Sequence, residues 1–321
     1  MSQHGTEFVP HFRQGLLFWS QDAFPWPATT LGSLPQRWPQ RVRPALLLPS
    51  WASMAARNTR TTRGRLWPSQ ASKNSFSLVG KSIVMVLMGG SAMAPSEAAV
   101  AASGAIVWAG YGGEEAGTAL ADVLLGAYNP GGRMPFTSYL SVDDFPLYYN
   151  MSMVGAPHGR TYRYFTGPDP VFRFGQGSSY SHMAYSNLSI RGAHVGVFQP
   201  CASLNISITL MNHGPKAGDE VIQVYVRMRN APAKVIVPRS ALVAFRRIAT
   251  QIELPLINNG FLLSPRSFAL VDGAGKRWML YPVDVDVYVG SQQPTVNDWS
   301  GSQAATLKMS GPPTPLNSCL S

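Results

Sequence analysis

The side chains in this sequence with the most to offer chemically are its carboxylates, because two of them held a few ångströms apart can serve as acid, base or nucleophile. Glu114 and Glu115 are adjacent, in a glycine-rich turn between a strand-like and a helix-like stretch. Open α/β sheets bind ligands at such turns, which makes both residues candidates for substrate binding. Their charge also suits the first turn of a helix, where the dipole favours it, and the residue types favour this second role. Asp143 and Asp144 read as a solvated turn, and Asp284 and Asp286, alternating with Val283, Val285 and Val287, read as the wet face of a strand. Arg160, Tyr162 and Arg163 form a different cluster: guanidinium planes and phenol rings suit a hydroxyl-rich ligand, and they suit equally well the tying of one segment to its neighbour. His158 stands alone, and the six histidines show no metal-ligand spacing. Ser178 and Ser179 lack the GxSxG elbow of a serine hydrolase. Cys201 and Cys319 form neither a disulfide framework nor a metal-ligand pattern. Asn150, Asn187 and Asn205 each open an N-x-[ST] sequon and are glycosylation candidates.

The elements that must position these groups are organised around residues 104–137. Ala105 to Trp108 is a short apolar run of the kind found in a strand covered on both faces. Gly110, Gly112 and Gly113 then turn the chain, and Leu120, Val123, Leu124 and Ala127 recur at helical spacing. Asn129-Pro130-Gly131-Gly132 is expected to end that helix. Upstream, Ile83 to Met88 reads as a buried strand and Ala98 to Ala102 as a small-residue helix, so the succession is βαβ and predicts a parallel sheet. Neither GxGxxG nor GxxxxGK[ST] is present, and two glutamates occupy the place of a phosphate, which argues against nucleotide binding. From Met183 onward short alternating strands separated by turn clusters predict an all-β sandwich.

Composition bounds the rest. The chain has 321 residues, 45% of them hydrophobic and 13% charged, enough for two domains with cores of their own. Most of the net charge of +10 lies in the first 75 residues, where eight Arg and one Lys face only Glu7 and Asp22. This segment shows no sustained period and reads as a disordered leader. Its basicity lacks the patterning of a nucleic-acid surface, so no nucleic-acid partner is expected. No apolar run is long enough to cross a membrane, and no secretory signal is recognisable.

Five motifs in fixed order carry a resemblance. They are the glycine-flanked acidic helix start at 112–117, Ala121-Asp122-Val123, the turn from Asn129 to Pro135, GRTYRYF at 159–165 and FGQGSSY at 174–180. Together they resemble the C-terminal half of glycoside hydrolase family 3, in particular its plant-type β-xylosidase and β-glucosidase branch. The resemblance divides the chain into a basic leader (1–76), a partial α/β domain (77–142), an aromatic connector (143–181), a fibronectin type III-like domain (182–290) and a disordered tail (291–321). The family's L-x-P-G-E turn is absent after Arg247, which leaves the strand register between Ile248 and Phe261 open.

The resemblance also implies a chemistry. Family 3 enzymes are retaining glycosidases, whose nucleophile and acid/base stand about 5 to 5.5 Å apart. By resemblance, the nucleophile belongs to an N-terminal barrel and the acid/base to a segment upstream of Ile83. Only Glu7 and Asp22 precede that strand, neither in a family-like context, so no catalytic residue is assigned. The implied partner is a xylo- or gluco-oligosaccharide together with a missing barrel domain, with no cofactor. The chain alone is expected to be inactive. The alternative is a noncatalytic carbohydrate- or protein-binding module built on the sandwich. Resemblance implies the secretory pathway, and the Arg- and Ser-rich leader suggests an organelle as the other destination. Without its first strands the α/β portion is expected to leave an unpaired edge and an uncovered apolar face, and the sandwich to be the sturdier unit.

Overall fold

The computed structural model describes residues 83–144, 146–147, 149–275, 277–294 and 303–319, and the backbone of 16–18. The expectation of a disordered leader over 1–76 otherwise falls outside the described residues. Strands dominate and helices are few and short.

The first unit is a small parallel sheet. Strand β1 (Leu16–Phe18) and β2 (Ile83–Leu87) flank β3 (Ser103–Trp108), and both pairings are parallel. Helix α1 (Glu97–Ala102) provides the crossover from β2 to β3. Ser96 caps it by accepting from the Ala99 N–H. Helix α2 (Ala116–Leu124) follows β3 and lays Leu120, Val123 and Leu124 on one sheet face, against Val86, Ala105 and Val107. On the other face Met85 and Ile106 pack against Ala99, Met134 and Phe172. Both faces are therefore covered, against the expectation of a bare one, because the chain after α2 returns under the sheet. Strand β2 remains an edge among the described residues.

Helix α2 ends earlier than the Asn-Pro-Gly-Gly turn. Leu125 is its C-cap and Gly126 follows at φ 76°, the left-handed residue that commonly closes a helix. The turn itself is thereby freed for another use.

Residues 125–182 form a connector that holds, among its described residues, a 3-10 turn (Val142–Asp144) and one α-helical turn, α3 (Thr161–Tyr164). Beyond it stand β4 (Met183–Arg191), β5 (Val197–Phe198), β6 (Leu204–Asn212), β7 (Gly218–Arg229), β8 (Ala241–Thr250), β9 (Leu256–Leu263), β10 (Leu270–Val271), β11 (Trp278–Leu280), β12 (Asp284–Gly290), β13 (Gln303–Met309) and β14 (Thr314–Pro315). They make a five-stranded sheet in the order β5-β13-β12-β7-β8 and a three-stranded sheet β4-β6-β9, with β10-β11-β14 as a small third sheet. Alternation puts Leu204, Ile206, Ile208 and Leu210 of β6 into one core with Ile222, Val224 and Val226 of β7 and Val285, Val287 and Val289 of β12. The open register is now defined: β9 runs antiparallel to β6, Leu256 opposite Leu210 and Leu263 opposite Leu204.

Three expectations are corrected here. Residues 303–319 are not a frayed tail, since β13 pairs with β12 over six residues and with β5, and buries Leu307 and Met309. Cys319 is bonded to Cys201, 118 residues away, which joins the end of the chain to the β5–β6 connection. Lone cysteines that far apart carry no framework pattern, so only proximity in the fold reveals the pair. Asp286 is likewise not on a wet face. It is 7% exposed, because Arg229 covers it with two hydrogen bonds of 2.7 and 2.9 Å while Thr306 donates a third. Burial alone would raise its carboxyl; those hydrogen bonds and the charges of Arg229 and Arg227 outweigh it and hold the group below 3.8.

Candidate functional site

A cleft of about 750 Å³ opens at the carboxyl ends of β2 and β3, the place where parallel sheets ordinarily bind ligands. Gly89, Trp108 and Tyr111 line it from the sheet, Arg133 and Phe174 from the connector, and Gln223, Phe245 and Arg247 from β7 and β8 of the sandwich. It is mainly apolar and aromatic. Tyr111 is 63% and Phe245 69% exposed, so two large rings stand at its rim. Trp108 packs edge-on against Phe136 at 5.0 Å, and Phe174 stacks on Tyr162 at 4.2 Å, which fixes the ring planes from behind.

The polar groups of the cleft are tied into the seam between the two units. Arg133 places one terminal nitrogen 2.8 and 2.7 Å from the two carboxylate oxygens of Glu220, and its Nε donates to the Ser291 carbonyl. The hydroxyl of Tyr185 donates to the same carboxylate at 2.9 Å. Burial first, then the charge of Glu220, raises the Tyr185 phenol well above its ordinary range. Arg247 pairs with Asp219 at 2.8 Å and also donates to the Tyr128 hydroxyl at 2.8 Å. Gln223 donates to the carbonyls of Gly175 and Ser291 and accepts from Tyr225. No carboxylate lines the cleft among the described residues.

The same seam accounts for the conspicuous sequence motifs. Asn129, buried, donates to Ser181 Oγ at 2.6 Å and to the Ala217 carbonyl at 3.1 Å, and accepts from the Tyr180 N–H. A Cβ on Gly131 would lie 2.8 Å from the Asp219 carbonyl oxygen, and one on Gly175, at φ 77°, would meet Gln223 and Tyr225. Glycine is therefore what lets these loops lie directly against the sandwich, Gly131 on the Asp219 backbone and Gly175 on the Gln223 and Tyr225 side chains. The motif pattern announced these positions, though nothing in it showed what they touch.

The candidate residues separate. Glu114 and Glu115 are exposed at the turn before α2, outside the cleft lining, and Glu115 makes no side-chain cap. Arg160 is turned inward on its own connector, donating to the carbonyls of Pro146, Leu147 and Asn150. Tyr162 reaches the sandwich, where its hydroxyl accepts from the Leu242 N–H and its carbonyl from Gln293. Arg163 borders a separate groove beside Trp278. Arg160 thus stands apart from both openings, and Tyr162 ties the connector to the sandwich rather than to the parallel sheet. Asp143 lies in the turn Val142–Asp144, and Asp144 accepts from the Ser141 N–H. Of the sequon asparagines, Asn187 and Asn205 are exposed on β4 and β6, and Asn150 is half-buried. Among the described residues no His/Cys/Asp/Glu group could hold a metal, and no helix is long and apolar enough to cross a membrane.

Comparison with known proteins places this architecture. Residues 68–180 match the model of the glycosyl hydrolase family 3 C-terminal domain. A xylan 1,4-beta-xylosidase of Xylanibacter ruminicola is 39% identical over 169 residues, covering 53% of this chain and 18% of its own length. A periplasmic beta-glucosidase of Salmonella typhimurium is 32% identical over 176 residues, covering 53% of this chain and 22% of its own length. The crystal structure of beta-glucosidase from Listeria innocua in complex with glucose superposes on 73% of this chain and 31% of that one, with a TM-score of 0.57 at 26% identity. This chain therefore spans less than a third of the length of these relatives. Residues 68–180 thus carry a match to the glycosyl hydrolase family 3 C-terminal domain, and the chain is similar to β-xylosidases and β-glucosidases over that region and beyond it.

Proposed function

We propose that this chain is the noncatalytic, sugar-facing scaffold of a retaining β-glycosidase of the β-xylosidase/β-glucosidase kind, acting on plant cell-wall saccharides. It combines part of an α/β sandwich domain with a fibronectin type III-like domain. The observation that carries the reading is the cleft at the ends of β2 and β3, where Trp108, Tyr111, Phe174 and Phe245 offer ring faces while both guanidinium groups are already paired with carboxylates. Rings without free acids can hold the apolar face of a pyranose but cannot cleave its glycosidic bond, which requires two carboxyl groups. The nucleophile and acid/base are assigned to polypeptide other than the described residues, a barrel domain that this scaffold would border.

Two features support a secretory destination over an organelle: the Cys201–Cys319 disulfide, which suits an oxidising compartment, and the exposed sequon residues Asn187 and Asn205. The test is direct. The purified chain should bind xylobiose or glucose weakly, lose that binding in Phe174→Ala, and show no turnover of p-nitrophenyl β-xyloside or β-glucoside. Turnover abolished by Glu114→Gln or Glu115→Gln would overturn the assignment.

A further inference from the structure

We propose that a second groove, lined by Arg163 and Trp278, binds an acidic saccharide, a sugar chain carrying a uronic acid. The inference rests on the saccharide reading given above and adds a substrate feature to it. The groove has a volume of about 310 Å³, at the small end of ligand sites and suited to one or two sugar rings. It shares no lining residue with the larger cleft. Its floor is the buried pair Ala269 and Leu270, and its walls are Met153, Val154, Ile236 and Trp278, which are 39%, 47%, 59% and 52% exposed. Four large apolar side chains from three separate segments, left open to water around one hollow, form a patch of the kind that marks a binding surface.

Charge selects the ligand. Arg163 lines the groove, 5.9 Å from the ring centre of Tyr164, and its guanidinium forms no ion pair with any carboxylate among the described residues. This contrasts with Arg133, Arg173, Arg229, Arg247 and Arg277, each of which has an acidic partner. No acid lines the groove, and Arg163 is the one charged residue in its lining. A neutral sugar would leave the charge of Arg163 unanswered. A carboxylate on the sugar would meet a planar fork able to take both its oxygens, while the ring's apolar face lies on Trp278.

The test uses the full chain and three probes: a xylo-oligosaccharide with one glucuronic acid branch, the same oligosaccharide with that carboxyl reduced to the alcohol, and xylobiose. Titration calorimetry should show the acidic form binding about tenfold tighter than the reduced one, a preference that fades at high salt, as a single charge-assisted pair would give. Arg163→Gln should bring the preference below about twofold with an unchanged melting temperature, and Arg163→Lys should restore part of it. Trp278→Ala should weaken both forms alike. Equal binding of acidic and reduced forms, or an acid preference that survives Arg163→Gln, overturns the proposal. If xylobiose binds and is lost in Phe174→Ala while the acidic form gains nothing, only this inference fails; if no probe binds, the saccharide reading fails with it.

Discussion

Arg133 and Glu220, 87 positions apart, form an ion pair at 2.7 Å with side chains only 8% and 1% exposed. The arginine ends the Asn-Pro-Gly-Gly-Arg turn of the α/β unit and the glutamate sits in β7 of the sandwich, so the pair is the seam between the two units. Such a pair is weak evidence for stability as a whole, yet breaking one side of it is costly, since the other charge stays buried.

Arg133→Ala should therefore destabilise the protein by about 3 to 5 kcal/mol, read by denaturant unfolding, because Glu220 would be left facing only the Tyr185 hydroxyl. Replacing both residues with apolar ones of similar volume should recover much of that loss. If the single variant unfolds at the wild-type midpoint, the pair does not hold the seam.

Alkali should weaken the fold. Tyr185 and Tyr225 are buried, and burial is the largest cause raising both phenols above 10.0, followed by the charge of Glu220 for Tyr185 and by Tyr162 for Tyr225. The sign follows from proton counting. Below the unfolded value both states hold the proton and the stability is intact. Above it the unfolded chain releases protons that the folded chain keeps, so stability falls by up to about 1.4 kcal/mol per pH unit for each tyrosine. Tyr185→Phe should flatten the fall measured by unfolding between about pH 9 and pH 11; an unchanged slope would contradict the burial argument.

Truncation after Gly290 should abolish the native sandwich. It removes β13 from between β12 and β5 and uncovers the core where Leu307 and Met309 lie. Cys201→Ser with Cys319→Ser is the milder version and should cost about 2 to 5 kcal/mol, seen as a lower melting temperature that no longer responds to reductant. A truncated chain with wild-type cooperative unfolding would show β13 to be dispensable.

Arg160→Ala should lower the melting temperature and leave saccharide affinity unchanged, since its guanidinium serves the carbonyls of Pro146, Leu147 and Asn150. A loss of about 1 to 3 kcal/mol is expected for those unsatisfied acceptors. Weakened xylobiose binding at constant stability would return Arg160 to the ligand.

Local signals carried a good deal of this fold. The apolar runs at Ile83 and Ala105, the helical spacing of Leu120, Val123 and Leu124, and the alternation in β6, β7 and β12 are all periods set by one residue's near neighbours, and they specify element type. The order of the motifs announced the resemblance to the family 3 C-terminal domain before any contact was known.

What those motifs do was decided only by the tertiary structure. Asn129 reads in the sequence only as the end of a helix and Glu220 as one residue of a strand, and each is found gripping the opposite unit once the chain closes. The pairing of Cys201 with Cys319, the burial of Asp286 under Arg229, and the place of β13 inside a sheet all join residues 14 to 118 positions apart, or depend on what lies across a strand. A period records which way a side chain points along its own element. It does not record what the fold brings to meet it, and charge pairing, burial and cleft formation are all properties of that meeting.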